Sequence, residues 1–253
     1  MLPFFPINWS NRCYIEPFCG SLSVFFNVNP KSAVLNDANK ELVNFWVVVS
    51  DPLFYEGFLN LLKRSVYSIE YINKLNKSIE CKTDTNNVMY ICKRALLYYL
   101  KNRMSFSGFN EDKPSDIVPN RNILHANLDK WHSYFENADV RIWHKDFREV
   151  FKRIETTSDK WVKKFIYCDP PYVKAGSAYK HPFEEQDHRD LSDCLHKTKF
   201  EWVLSYDENP LIRELYREYK IVPIQWHYSC AGGNTIQKPE LLITNRMDNL
   251  CEV

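Results

Sequence analysis

Strand-length apolar runs that close on an acid recur along this chain, and they restrict what it can fold into. Cys13-Tyr14-Ile15 enters the turn Glu16-Pro17-Phe18-Cys19-Gly20-Ser21, and Ala33-Val34-Leu35 ends at Asn36-Asp37. Val140-Arg141-Ile142-Trp143 ends near Asp146-Phe147, and Phe165-Ile166-Tyr167-Cys168 ends at Asp169-Pro170-Pro171-Tyr172. Helical patterns lie between them. Ser23 to Phe26 begins one; in the next, Leu42, Phe45, Trp46 and Val49 recur at i, i+3, i+4 and i+7 until Asp51-Pro52 stops it. Strand, glycine turn, helix, strand, acid and helix make a βαβα opening, which predicts a parallel sheet.

The pattern resumes late in the chain. Asp187 can cap a helix carrying Leu191, Cys194 and Leu195; Phe200 to Leu204 reads as a strand. Asn209-Pro210 is a helix start, with a capping side chain followed by proline at the first helical position. Ile221 to Trp226 and Leu241 to Thr244 read as two final strands joined by a loop from Cys230 to Pro239. Between these α/β parts lies a stretch of another kind, polar, rich in Asn, Lys and Tyr, and mostly helical. Its clearest helix puts Val88, Ile91, Cys92, Ala95, Leu96 and Tyr99 on one face. The expected organisation is an α/β domain from residues 1–52 and 138–253, with 53–137 as an inserted subdomain, and 253 residues suit that plan.

Charge adds a weak hint. The total is +1, but Glu56 to Lys130 holds 12 Lys and Arg against 8 Asp and Glu. A basic segment on a neutral body suits a polyanion, although such charges are usually a solvated face. None of the eight cysteines pairs at Cys-x-x-Cys spacing, and no Cys/His cluster resembles a zinc site. No metal is expected. There is no secretory signal pattern, and no apolar run approaches the ~20 residues that span a bilayer. A soluble, intracellular (cytoplasmic) protein is expected.

Asp169-Pro170-Pro171-Tyr172 carries the most specific chemistry. A carboxylate and a rigid backbone carbonyl can both accept hydrogen bonds from an exocyclic amine; the prolines fix the carbonyl direction, and the tyrosine offers a ring face. That suits a flat, amine-bearing ring such as adenine. Asp37, Asp146 and Asp169 each end a predicted strand, on the edge where open parallel sheets bind ligands. The turn Glu16 to Ser21 joins them there, and its glycine permits close backbone approach. No Gly-Lys-Ser/Thr follows it, so it is not a phosphate loop. An ordinary β–α turn is the competing reading. Asp37 fits an acid gripping ribose hydroxyls or, equally, a helix cap before Ala38.

With these residues in place, the chain resembles the Dam-like family of DNA adenine-N6 methyltransferases, the alpha group of amino methyltransferases. Tyr14 to Val24 resembles their first cofactor motif, Leu35-Asn36-Asp37 the second and Lys145-Asp146-Phe147 the third. Asp169-Pro170-Pro171-Tyr172 matches the catalytic motif. Leu204-Ser205-Tyr206 and Glu240 to Asn245 resemble the late strands. The match runs from about Tyr14 to Asn245, in the family's order. It implies a Rossmann-like S-adenosylmethionine-dependent methyltransferase sheet with a helical target-recognition insert.

The resemblance also implies roles. S-adenosylmethionine lies over Glu16, Pro17, Phe18, Cys19 and Gly20; Asp37 holds its ribose, Asp146 accepts from its adenine amine, and Phe147 lies beside that ring. The target adenine is flipped from double-stranded DNA. Asp169 and the Pro170 carbonyl accept its amine protons, and Tyr172 stacks on it. Transfer is a direct in-line displacement, with no metal and no covalent enzyme intermediate. In the insert, Asn102 to Gly108 is the expected DNA-contact segment: Arg103 reads guanine or pairs with phosphate, with Ser105 and Ser107 beside it. A loop packed on its own domain is the alternative. Lys174, Tyr179 and His181 either close over the flipped base or face solvent. A partner restriction nuclease is compatible with this reading. One departure is at the front. Such proteins usually open with a lysine- and glycine-rich segment that completes the methionine end of the cofactor pocket. Here Met1 to Arg12 precede Cys13-Tyr14, with Phe4-Phe5-Pro6 as a remnant and no Gly-Gly-Lys. Leu22 stands where many methyltransferases have a small residue. A silent DNA-binding relative, or the same chemistry on RNA, are the alternative functions.

Overall fold

A seven-stranded sheet organises the first of two units in the computed structural model, which describes residues 5–6, 8–81, 87–104, 127–156, 163–173, 183–229 and 235–246. This unit comprises Met1–Ala38 and Ala138–Val253; the second is Asn39–Asn137. The strands are β1 (Cys13–Glu16), β2 (Ser32–Asn36), β3 (Asp139–Trp143), β4 (Lys164–Cys168), β5 (Glu201–Asp207), β6 (Lys220–Ser229) and β7 (Thr235–Thr244). Their spatial order is β3-β2-β1-β4-β5-β7-β6. The first five are parallel to their neighbours, whereas β7 runs antiparallel between β5 and β6. β1 and β4 are buried along their whole length, as central strands with both faces covered must be.

Short helices cover this sheet: α1 (Ser23–Val28), with α7 (Phe147–Thr156), α8 (Glu185–Lys197) and α9 (Pro210–Leu215) later in the chain. One core joins sheet and helices, built on Ile15, Val34, Ile166, Trp202 and Ile243 with Val150, Leu191 and Ile212. Trp202 is fully buried and satisfies its indole N–H on the Leu195 carbonyl at 3.0 Å. The sequence departs from the structure in two places here. Asp187 does not cap α8 as its first residue. The chain enters that helix at Glu184, and Asp187 reaches back to accept the Glu184 N–H at 2.8 Å, the third-position half of a capping box. The expected loop from Cys230 to Pro239 is also shorter, because β7 begins at Thr235 and pairs with β6 as far as Ser229. Asn209-Pro210 opens α9 as expected, the side chain accepting from the Leu211 N–H at 2.9 Å.

The second unit is helical: α2 (Lys40–Ser50), α3 (Pro52–Lys63), α4 (Ile69–Glu80), α5 (Val88–Met104) and α6 (Leu128–Glu136). Asn39 caps α2, accepting from the Glu41 and Leu42 amides. Asp51 both ends α2 and caps α3 through the Phe54 N–H at 3.1 Å. The sequence assigns α2 to the α/β domain; the structure groups it with the helices. Its buried face packs there: Phe45 stacks on Tyr99 at 5.7 Å, Trp46 meets Trp131 edge-on at 5.4 Å, and Arg94 forks onto Glu41 at 3.1 and 2.6 Å. Gly57 lets α3 approach α5, since a Cβ there would sit 3.1 Å from the Cys92 sulfur. Among the described residues no helix is long and apolar enough to cross a membrane.

Candidate active site

The chain leaves β1 toward β2 and leaves β4 toward β5, in opposite directions, while β1 and β4 are neighbours. A crevice therefore opens at their carboxyl ends, the place where such sheets take ligands. Glu16 closes β1 and Asp169 follows β4, so the two acids flank this switch point.

The turn after β1 is built for close approach. Gly20 has φ +46, and nothing lies within 4 Å of where its Cβ would be. Leu22 also takes a left-handed conformation, φ 58, yet is fully buried. Asp37, at the end of β2, accepts the Gly20 N–H at 3.0 Å. It does not cap the following helix, which Asn39 does. Asn36 ties three strand ends together. Its Nδ2 donates to the Pro17 carbonyl at 2.9 Å and to the Lys145 carbonyl at 3.0 Å, while its Oδ1 accepts the Lys145 N–H at 2.9 Å. Sequence reading placed Asn36 in a motif but gave it no task.

Glu16 is 2% exposed, and its Oε2 has no hydrogen-bond partner among the described residues. Burial pushes its carboxyl well up; the charges of Asp169 and Asp37 add to this and the Tyr14 hydroxyl opposes it. A buried carboxyl with one oxygen unanswered among the described residues suits a cationic ligand. Cys19 is buried, and the same neighbourhood drives its thiol pKa well up, by burial first and then by Asp37 and Glu16. It stays a protonated thiol and not a nucleophile.

Asp146 caps α7 by accepting the Arg148 N–H at 2.8 Å, and its Oδ2 pairs with the Arg148 guanidinium at 3.0 Å. Arg148 continues to Asp190 on α8 at 2.7 Å and to Asp187, and lies 4.4 Å above the Phe147 ring. Phe147, Phe18 and Phe183 form a cluster with ring separations of 5.4 to 5.6 Å. Arg148 and Phe183 are additions that sequence reading missed.

On the other side of the crevice, Pro170 is buried and Tyr172 half-buried. Asp169 keeps an exposed face although protein atoms crowd it. Its carboxyl is pushed up to about 7, by burial first and then by the Glu240 charge, with the nearby Tyr172 hydroxyl opposing the rise. Water reaching the exposed face offsets part of that burial effect. The Tyr172 hydroxyl donates to Glu240 Oε1 at 3.1 Å, with Ser205 Oγ at 3.5 Å. Tyr206 stands 6.1 Å from the Tyr172 ring and is hydrogen-bonded to His188. Arg148 carries no local sequence signal, and Glu240, read as the start of a late-strand motif, was given no task.

In the helical unit, Arg103 lies with its guanidinium 5.4 Å over the Tyr99 ring, on the last turn of α5. Ser105, Ser107, Lys174, Tyr179 and His181 lie outside the described residues. Among the described residues no group of three or more His, Cys, Asp or Glu gathers to hold a metal ion.

A doubly wound sheet with acids ringed about its switch point and a reversed β7 defines the Rossmann-like methyltransferase class. Within it, residues 2–230 match the model of the D12 class N6 adenine-specific DNA methyltransferases, and the chain belongs to that family. Its methyl donor is S-adenosylmethionine. Similar proteins include the "Type II methyltransferase M1.LlaDCHI" of Lactococcus lactis subsp. cremoris, 27% identical over 84% of this chain and 78% of its own length. The "DNA adenine methylase" of Escherichia coli (strain K12) is 23% identical over 91% of this chain and 85% of its own length. The protein of that name from Haemophilus influenzae is 23% identical over 91% and 84%.

Proposed function

We propose that the acids of the β1–β4 crevice divide the work of adenine-N6 methylation. Glu16, Asp37 and Asp146, with the Glu16–Gly20 turn and Phe147, hold the methyl donor; Asp169, Pro170 and Tyr172 hold the target base. The observation that carries this is the Asp37–Gly20 bond: it makes one rigid unit of the glycine turn and the acid after β2, and Glu16 at the head of the same turn keeps one carboxyl oxygen unanswered among the described residues. S-adenosylmethionine supplies an electrophilic methyl on a cationic sulfur, and such a cation favours the ionised form of Glu16 that burial disfavours.

The protein's own residues then act on the base. Ionised Asp169 and the Pro170 carbonyl accept its two amine hydrogens, which aims the nitrogen lone pair. Tyr172 packs on the ring. Because the displacement needs no covalent intermediate, positioning supplies much of the rate. The basic helical unit is the DNA reader, with Arg103 at the end of α5 contacting guanine or phosphate. The protein acts inside the cell, and a partner restriction nuclease fits the kinship with a type II methyltransferase.

The test pairs calorimetric titration with S-adenosylmethionine and methylation-sensitive sequencing of DNA from cells expressing the protein. Binding together with N6-methyladenine at one sequence context is expected. Binding that survives Asp37→Ala unchanged, or transfer that survives Asp169→Ala, would refute the assignment. Methyl transfer confined to structured RNA would refute the DNA reading.

A further inference from the structure

β7 runs against the five parallel strands, so its early residues lie on the edge where β5 ends, and Glu240 sits opposite Asp207. Glu240 is 3% exposed, and a carboxylate so buried is costly unless it is used. Its Oε1 takes the Tyr172 hydroxyl at 3.1 Å, with Ser205 alongside. We propose that Glu240 is a positioning residue of the transfer site: it fixes the Tyr172 ring by its hydroxyl and thereby sets the face that the target adenine meets. This rests on the role of Tyr172 proposed above.

The same placement has an electrostatic consequence. Asp169 interacts electrostatically with Glu16 from β1, Tyr167 and Cys168 from β4, Tyr172 just beyond it, Tyr206 from β5 (with Asp207 next along) and Glu240 from β7. Of the two glutamates, Glu240 is the one that raises the Asp169 carboxyl after burial itself. A like charge favours the protonated form, and protonated Asp169 accepts poorly. Glu240 thus holds the ring in place and at the same time sets how far the pH can fall before Asp169 stops accepting.

The experiment measures methyl transfer from tritiated S-adenosylmethionine to unmethylated plasmid duplex DNA, as kcat and KM across pH. It compares the native protein with E240A, E240Q, Y172F, E240A/Y172F and D169A. E240A and Y172F should each lose about ten-fold in kcat/KM for DNA, the scale of one charge-assisted hydrogen bond, with KM for the donor unmoved. The double variant should lose no more than either alone, because both remove the same bond. E240Q keeps an acceptor at the same place; it should recover most of the loss and move the acid limb of the rate profile to lower pH. Additive losses, or an E240Q profile with an unmoved acid limb, would overturn the proposal while an inactive D169A left the wider site assignment standing. An active D169A would overturn both.

Discussion

Asn36 clasps the chain ends after β1 and β3 by three hydrogen bonds, and removing its side chain measures what that clasp contributes. Asn36→Ala deletes the donors to the Pro17 and Lys145 carbonyls and the acceptor of the Lys145 N–H. Asn36 is 1% exposed, so little water replaces what is lost. At about 1 kcal/mol net for each bond, the variant loses about 3 kcal/mol. For a chain of this size that lowers the melting temperature by about 6–12 °C.

Asn36→Asp separates a bonding effect from a packing one, because it is nearly isosteric. It keeps the acceptor for Lys145 but turns a carboxylate oxygen toward two carbonyls. At neutral pH it should be less stable than the alanine variant, since a buried anion then faces only acceptors. The sign with pH follows. Its carboxyl pKa is raised on folding, so the folded state binds the extra proton. Stability is therefore lost as pH rises through the folded value and recovered as pH falls toward the unfolded one. Melts followed by circular dichroism in mild acid and above neutrality test both variants. An Asn36→Ala melt within about 2 °C of the native protein, or Asn36→Asp at least as stable as Asn36→Ala above neutrality, would refute the clasp.

Three further outcomes are expected. Methyl transfer should fall away on the acid side as pH drops through about 7, because Asp169 must be ionised to accept the amine; a rate flat down to mild acid would contradict that role. Glu16→Gln should raise the melting temperature of the ligand-free protein, by removing a carboxyl that burial disfavours, while weakening S-adenosylmethionine in calorimetry; a variant that melts no higher and binds equally well would sink this reading. Gly20→Ala should cost about 1 kcal/mol through its left-handed φ and not through crowding, since no atom lies within reach of the new Cβ; an unchanged melt would show that the turn relaxes.

How much of this was legible in the sequence depended on the range of the interaction concerned. β1, β2 and β4 are apolar runs with both faces covered, so their own composition announces them. The early part of β7 was missed because Gln237-Lys238-Pro239 reads as loop, and only pairing with Gln225 to His227 on β6 makes it strand. Helix α2 follows β2 directly, so a reading along the chain keeps it with the sheet, while its buried face is answered by Tyr99 and Trp131, far along the chain, and it groups with the helices. The site divides the same way. Glu16, Asp37, Asp146 and Asp169 each close or follow a strand, so a local pattern finds them. Asn36, Arg148 and Glu240 bond to partners 109, 42 and 68 residues away, and no spacing rule reaches that far. The residues with a candidate ligand to meet sit at strand ends because the backbone delivers them there. The residues that hold them steady are recruited from wherever the folded chain passes. Reading motifs therefore nominates the groups of such a site, whereas their geometry and acidity are set by contacts that exist only after folding.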